Sequence, residues 1–169
     1  HQPHPPGYPV YIFFGWILYR VSNDPLLALT LLSAVCGALT VVTLYYLVRD
    51  MFNEKVAILS SLLLAVNPLF WLTSEKALSD TPGTFFVVLA VSLLHFGIKK
   101  DSSKMLYASA FVLGLSVGVR QTNFPFAAAW VIYLFKNRKK LILCAAIFAL
   151  TCVSWFIPMV YLTGFSRYL

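Results

Sequence analysis

Apolar and polar positions are segregated along this chain: long apolar tracts alternate with short polar stretches. A helix that crosses a bilayer needs about 20 apolar residues. Residues 26–48 meet that length, and Asp24-Pro25 just before them is a helix-start signal. Further spans are predicted at 56–73, with Pro68 near its end, and at 82–98. Residues 105–135 form a longer tract broken around Arg120 to Pro125, which predicts limbs at 105–119 and 124–135. The last span is predicted at 141–162, with Pro158 as a kink. Residues 10–19 are apolar but would reach only about half of a ~30 Å hydrocarbon core. They are rich in aromatics, including Tyr11, Phe13, Phe14, Trp16 and Tyr19. Aromatic side chains collect at the membrane–water boundary, so this segment is expected to be a short interfacial helix. The fold class that follows is all-α, a polytopic transmembrane bundle forming one domain over 1–169.

Composition excludes the soluble alternative. Of 169 residues, 60% are hydrophobic and 11% charged, against about 25% charged in a soluble domain. The net charge of +7 does not point to nucleic acid here, because the basic residues lie in short connections between apolar runs. If the aromatic segment does not span and the others alternate, one side receives Arg49, Lys55, Lys99, Lys100, Lys104, Lys136, Arg138, Lys139 and Lys140. The other receives only Arg20, Lys76, Arg120 and Arg167. The richer side is expected to be cytoplasmic. Cys36, Cys144 and Cys152 all sit in apolar runs at spacings that match no zinc or disulfide framework.

The limbs of 105–135 are short. Each has roughly 15 residues, or ~22 Å of helix, which places the apex Arg120-Gln121-Thr122-Asn123 below the headgroup level. Polar backbone at that depth needs protein or a wet cavity around it; a locally thinned bilayer gives the same geometry. Three polar features share this non-cytoplasmic side. His4-Pro5-Pro6-Gly7-Tyr8-Pro9 is stiffened by three prolines and a glycine, a backbone that would hold His1 or His4 in place, or it is a rigid linker. Glu75, Lys76 and Asp80 lie at a helix exit, where ionisable groups drawn to membrane depth are functional candidates; otherwise Asp80 or Thr81 is a plain cap. Arg120 offers a permanent planar charge suited to phosphate, or else snorkels to headgroups. His95 lies at the opposite end of its helix, where a packed, hydrogen-bonded role is expected.

The order of these blocks carries a resemblance. The proline motif at 4–9 leads into an aromatic short helix, then a long helix ending Tyr45-Tyr46-Leu47-Val48-Arg49. Asn67-Pro68-Leu69-Phe70 and Ala77-Leu78-Ser79-Asp80 follow, and Gly114-Leu115-Ser116-Val117-Gly118 leads to Arg120. This resembles the front portion of a GT-C fold glycosyltransferase, the polyprenyl-phosphate-sugar-dependent membrane enzymes related to protein O-mannosyltransferases and aminoarabinose transferases. The proline motif is also similar to O-mannosyltransferase-like membrane proteins. Arg120-Gln121-Thr122-Asn123 is similar to a segment of the lipid-linked-oligosaccharide alpha-1,2-glucosyltransferase.

The resemblance implies an enzyme that moves a sugar from a polyprenyl phosphate to a protein, lipid or glycan acceptor on the non-cytoplasmic side of a plasma or endoplasmic reticulum membrane. It matches Asp80 to an acidic outer-loop residue and His4 to a position often basic in relatives. In that reading Asp80 orients the acceptor or binds a divalent cation, the candidate cofactor. Arg120 and His4, with Lys76, neutralise the phosphate, while Glu75 and Tyr8 complete the substrate-binding set. The acidic residue that such enzymes carry just after their first membrane helix precedes His1, so the chain is expected to be part of a longer protein. Two other classes compete: a transporter or lipid flippase, and a non-catalytic membrane scaffold. Uptake into proteoliposomes without glycosyl product marks the first. Tolerance of simultaneous changes at His4, Asp80 and Arg120 marks the second.

Overall fold

The computed structural model describes residues 8–135 and 137–163. Among them the chain is an all-α membrane bundle with no strand. Its elements are α1 (Pro9–Ser22), α2 (Pro25–Met51), α3 (Glu54–Ala65), α4 (Pro68–Ser74), α5 (Asp80–Lys99), α6 (Ser103–Val119), a 3-10 segment (Gln121–Ala127), α7 (Ala128–Leu134) and α8 (Arg138–Thr163).

The boundaries are written in short polar side chains. Asp24 accepts from the backbone N–H groups of Leu26 and Leu27, Asn53 from that of Val56, Asn67 from that of Phe70 and Asn137 from that of Lys140. Each satisfies a donor that the first helical turn leaves without a partner. Asn23 closes α1 with a φ of 54°, a left-handed conformation that asparagine tolerates better than most residues.

Among the described residues, α2, α5 and α8 are long and apolar enough to cross a membrane. The tract 56–73 is not one straight rod. α3 and α4 meet at 62°, because Asn67 caps a new helix and Pro68 opens it. The tract 124–135 likewise begins as 3-10 helix containing Pro125, and only Ala128–Leu134 is α-helical.

Polarity is inverted relative to a soluble bundle. The surface carries large apolar side chains such as Leu26, Leu59, Ile132 and Leu150, while Ser33, Thr40, Thr81, Ser92, Ser109, Ser116 and Thr151 are buried. Several of these hydroxyls donate a hydrogen bond to a carbonyl of their own helix, as Thr40 does to Cys36 and Ser92 to Val88. Small residues bring the helices close. Gly97 faces Leu106 between α5 and α6, and Gly114 faces Thr151 between α6 and α8.

These contacts set the levels of the helices. α5 runs parallel to α2, since Thr81 packs by Gly37 at one end and His95 bonds Asp50 at the other. α6 returns antiparallel, bringing Arg120 against Gly83. α8 runs parallel to α6, with Cys144 against Leu106 and Trp155 against Gly118. Asp80 therefore starts α5 abreast of Gly37, roughly 18 Å along α2 from Pro25. α8 continues roughly 12 Å past Trp155. The α5–α6 hairpin thus ends well below the tips of α2 and α8. α1 lies over that end, with Val10, Tyr11 and Val119 forming one buried cluster that includes Phe14, Phe86 and Trp155.

Candidate functional site

Asp80 occupies the first turn of α5, behind Ser79, whose side chain makes no capping bond. A carboxylate there is favoured by the helix dipole. Instead of capping, it meets Arg120: Oδ1 lies 2.5 Å from Nη1. Arg120 follows directly after α6 in extended backbone, and its Nε donates to Thr122 Oγ1 at 3.0 Å. The pair is partly open, with side-chain exposures of 44% for Asp80 and 33% for Arg120. A ligand can therefore reach both charges.

The connection that delivers Asp80 is anchored deep on α2. Ser33 Oγ donates to the carbonyl of Leu78 at 3.1 Å, and Thr81 Oγ1 bonds Thr73 Oγ1 at 3.2 Å. Gly37 leaves room for Ser74, whose hydroxyl a Cβ at that glycine would approach to 2.7 Å. Three small residues on α2 and α5 thus fix where the polar loop 75–79 can lie.

On the α6 side the lock is Asn123. It is buried, and its Nδ2 donates to Ser116 Oγ at 2.9 Å and to the carbonyl of Gly83 at 3.2 Å. One carboxamide therefore ties the 3-10 segment to both α5 and α6, one turn from the ion pair.

Of the residues singled out by sequence, Asp80 and Arg120 are in contact. Glu75 and Lys76 are exposed on the connection that precedes Asp80, and neither makes an ion pair among the described residues. Tyr8 is exposed just before α1, whose first turn sets Val10 against Gly118, so the proline motif ends close to the Arg120 end of α6. His4 and the rest of that motif before Tyr8 lie outside the described residues. His95 is held at the far end, with Nε2 at 2.8 Å from Asp50, which also accepts from Lys99 at 2.7 Å. Among the described residues no three His, Cys, Asp or Glu side chains converge as a metal site. Sequence reasoning did not find Gly83, Ser116 or Ser33. Ser116 stood inside the Gly114–Gly118 block; for Gly83 and Ser33 the signal was a small residue inside an apolar helix, which ordinary packing explains equally well.

This arrangement is a fixed cation with a carboxylate beside it, at the blunt end of a helical hairpin below taller apolar helices. It can receive an anion while keeping an acceptor of hydrogen bonds within reach. The sequence profile described as dolichyl-phosphate-mannose-protein mannosyltransferase matches residues 3–161. Comparison with curated proteins and with solved structures gives no significant match.

Proposed function

The chain belongs to the dolichyl-phosphate-mannose-protein mannosyltransferase family, and from that premise we propose that it forms the part of a membrane glycosyltransferase that holds the phosphate of a polyprenyl-phosphate sugar at Arg120, beside Asp80, on the non-cytoplasmic side. The family consists of membrane enzymes that use such lipid-linked donors. The observation that carries the reading for this chain is the Asp80–Arg120 pair, partly exposed at the end of the α5–α6 hairpin.

In the reaction the bond between the anomeric carbon and the phosphate oxygen breaks, and its electron pair stays with the phosphate. A bond from an acceptor hydroxyl oxygen to the anomeric carbon forms, and the hydroxyl proton passes to a base. Negative charge grows on the leaving phosphate. A fixed guanidinium aimed at that charge lowers the barrier without reorganising, which is often the largest single contribution to catalysis. Arg120 takes this role, and His4 and Lys76 add to it. Asp80, released from Arg120 when phosphate binds, orients the acceptor hydroxyl. Glu75 and Tyr8 line the approach. The acceptor is a protein, another lipid or a glycan.

The charge distribution supports the orientation. The basic residues concentrate at the end where Asp50 bonds Lys99 and Asp101 bonds Lys140, opposite to Arg120. The test is sugar transfer by the intact protein in proteoliposomes, using radiolabelled polyprenyl-phosphate mannose. Wild-type protein should form glycosylated product, and Arg120→Ala should lose at least about a hundred-fold in rate, the order seen when one charge-stabilising donor is removed. Uptake of label without product, or an unchanged rate in the variant, overturns the proposal.

A further inference from the structure

We infer that Asn123 is a positioning residue that sets the guanidinium of Arg120, an inference that rests on the phosphate-binding role proposed for Arg120. Asn123 has no path to a substrate of its own. It is buried at 8% exposure, and its carboxamide nitrogen donates into the protein, to Ser116 Oγ, to the Ser116 carbonyl at 3.4 Å and to the Gly83 carbonyl. Its backbone N–H donates to the carbonyl of Arg120 at 3.0 Å. The main chain of Arg120 is therefore gripped from both sides. On one side its own N–H bonds the carbonyl of Ser116 at 2.9 Å, the last bond of α6. On the other, Asn123 closes a tight turn on it.

The grip matters because it acts where the segment leaves α6; farther along, Phe124 packs on Phe148 and Ala127 joins the core. The 3-10 run Gln121–Ala127 has poorer hydrogen-bond geometry than α-helix and is seldom stable over such a length alone. Arg120 sits in extended backbone at its start, φ −155°, where a small rotation swings a long side chain through several ångströms. Asn123 also reaches across to Gly83, one turn after Asp80 on α5. The same carboxamide thus sets the spacing between the helix bearing Asp80 and the segment bearing Arg120. A donor is required there. All three partners of Nδ2 are oxygens, two of them carbonyls that only accept, so an isosteric carboxylate would face them with repulsion and a buried charge.

The experiment is a double-mutant cycle on the intact protein in detergent, reading the affinity for a polyprenyl monophosphate alongside thermal melting. Asn123→Ala should weaken binding about five- to ten-fold, as expected for losing a buried hydrogen-bonded anchor. In an Arg120→Ala background the same change should cost less than about two-fold, because the guanidinium it positions is gone. Equal losses in both backgrounds overturn the inference, since a merely structural role does not depend on Arg120. If Asn123→Ala is not recovered folded, Ser116→Ala, which removes only one acceptor, runs the same cycle with a smaller loss in the same direction. Absence of polyprenyl monophosphate binding by the wild type overturns the proposed function and this inference together. Binding by the wild type with an additive cycle overturns only the positioning role.

Discussion

Arg120 and Asp80 hold each other at 2.5 Å while each remains partly exposed. A phosphate arriving at Arg120 must therefore compete with a carboxylate already in place. Exposed and half-exposed ion pairs are worth about 0.2–1 kcal/mol, which corresponds to roughly a 1.5- to five-fold penalty on the incoming anion. Asp80→Asn should thus bind polyprenyl monophosphate about 1.5- to five-fold more tightly than wild type, yet transfer sugar far more slowly. Titration of the lipid phosphate, measured beside turnover, separates the two effects. Weaker binding in Asp80→Asn would mean that the carboxylate supports the anion site, through a cation for example, and does not compete with it.

Gly83 carries no functional group, but its backbone lies against both halves of the site. A Cβ there would sit 3.2 Å from Asn123 Nδ2 and 3.3 Å from Arg120 Cβ, tighter than ordinary contact. Asn123 cannot yield without giving up its bonds to Ser116. Gly83→Ala is expected to slow transfer several-fold, since displacements of this size at a charge-stabilising group are felt strongly in rate. Its helical content by circular dichroism should match wild type. Unaltered turnover would show that the α5–α6 spacing at this level has slack.

The orientation is checked by thiol labelling from one side of the membrane. On a background in which Cys36, Cys144 and Cys152 are replaced, single cysteines at Asp80 and Arg120 should react with an impermeant reagent added from the non-cytoplasmic side. Cysteines at Lys100 and Lys139 should react only from the cytoplasmic side. Labelling of Asp80 and Lys100 from the same side would overturn the topology and the function together.

At the other end, Lys140 Nζ donates to Asp101 Oδ1 at 2.6 Å and holds that carboxyl below its ordinary value of 3.8. A carboxyl with a lowered folded-state pKa contributes stability above 3.8 and loses it as pH falls through the folded value. Asp101→Asn tolerates the left-handed backbone there, φ 45°, but removes the charge. Its melting temperature should be slightly below that of wild type at pH 7, and the gap should close as pH falls below 3.8. Because Asp101 is highly exposed, the gap should also shrink in high salt. A gap independent of both pH and salt would assign the effect to the turn and not to the ion pair.

The fold class was legible because composition alone forbids a water-facing surface, and because Asp24-Pro25 announces the start of α2 in chemistry that no tertiary contact alters. The bend between α3 and α4 had its signal too. Asn67-Pro68 is a helix start, but inside an unbroken apolar tract it reads as the end of one span. The pairing of Asp80 with Arg120 was legible only as far as one face of the membrane. Their contact depends on how far α5 and α6 extend toward that face, and this is set by Gly97, Gly83 and Leu106 packing, which no periodicity encodes. Asn123 read as one more polar residue at an apex. Its role comes from two carbonyls on separate helices, and a carbonyl leaves no trace in a sequence.

The unequal lengths of these helices bear on how the protein is made. α2, α5 and α8 are each long and apolar enough to cross a bilayer, whereas the 17-residue α6 is at the lower limit of a span and the 12-residue α3 falls short of one. α6 packs against α5, which precedes it in the chain and brings Asp80 with it. Arg120, which follows α6 at the end of the hairpin, thus meets a counter-charge carried by chain made before it. The ion pair of the site is therefore also a tie between the two limbs of the hairpin, one side chain made early and the other late.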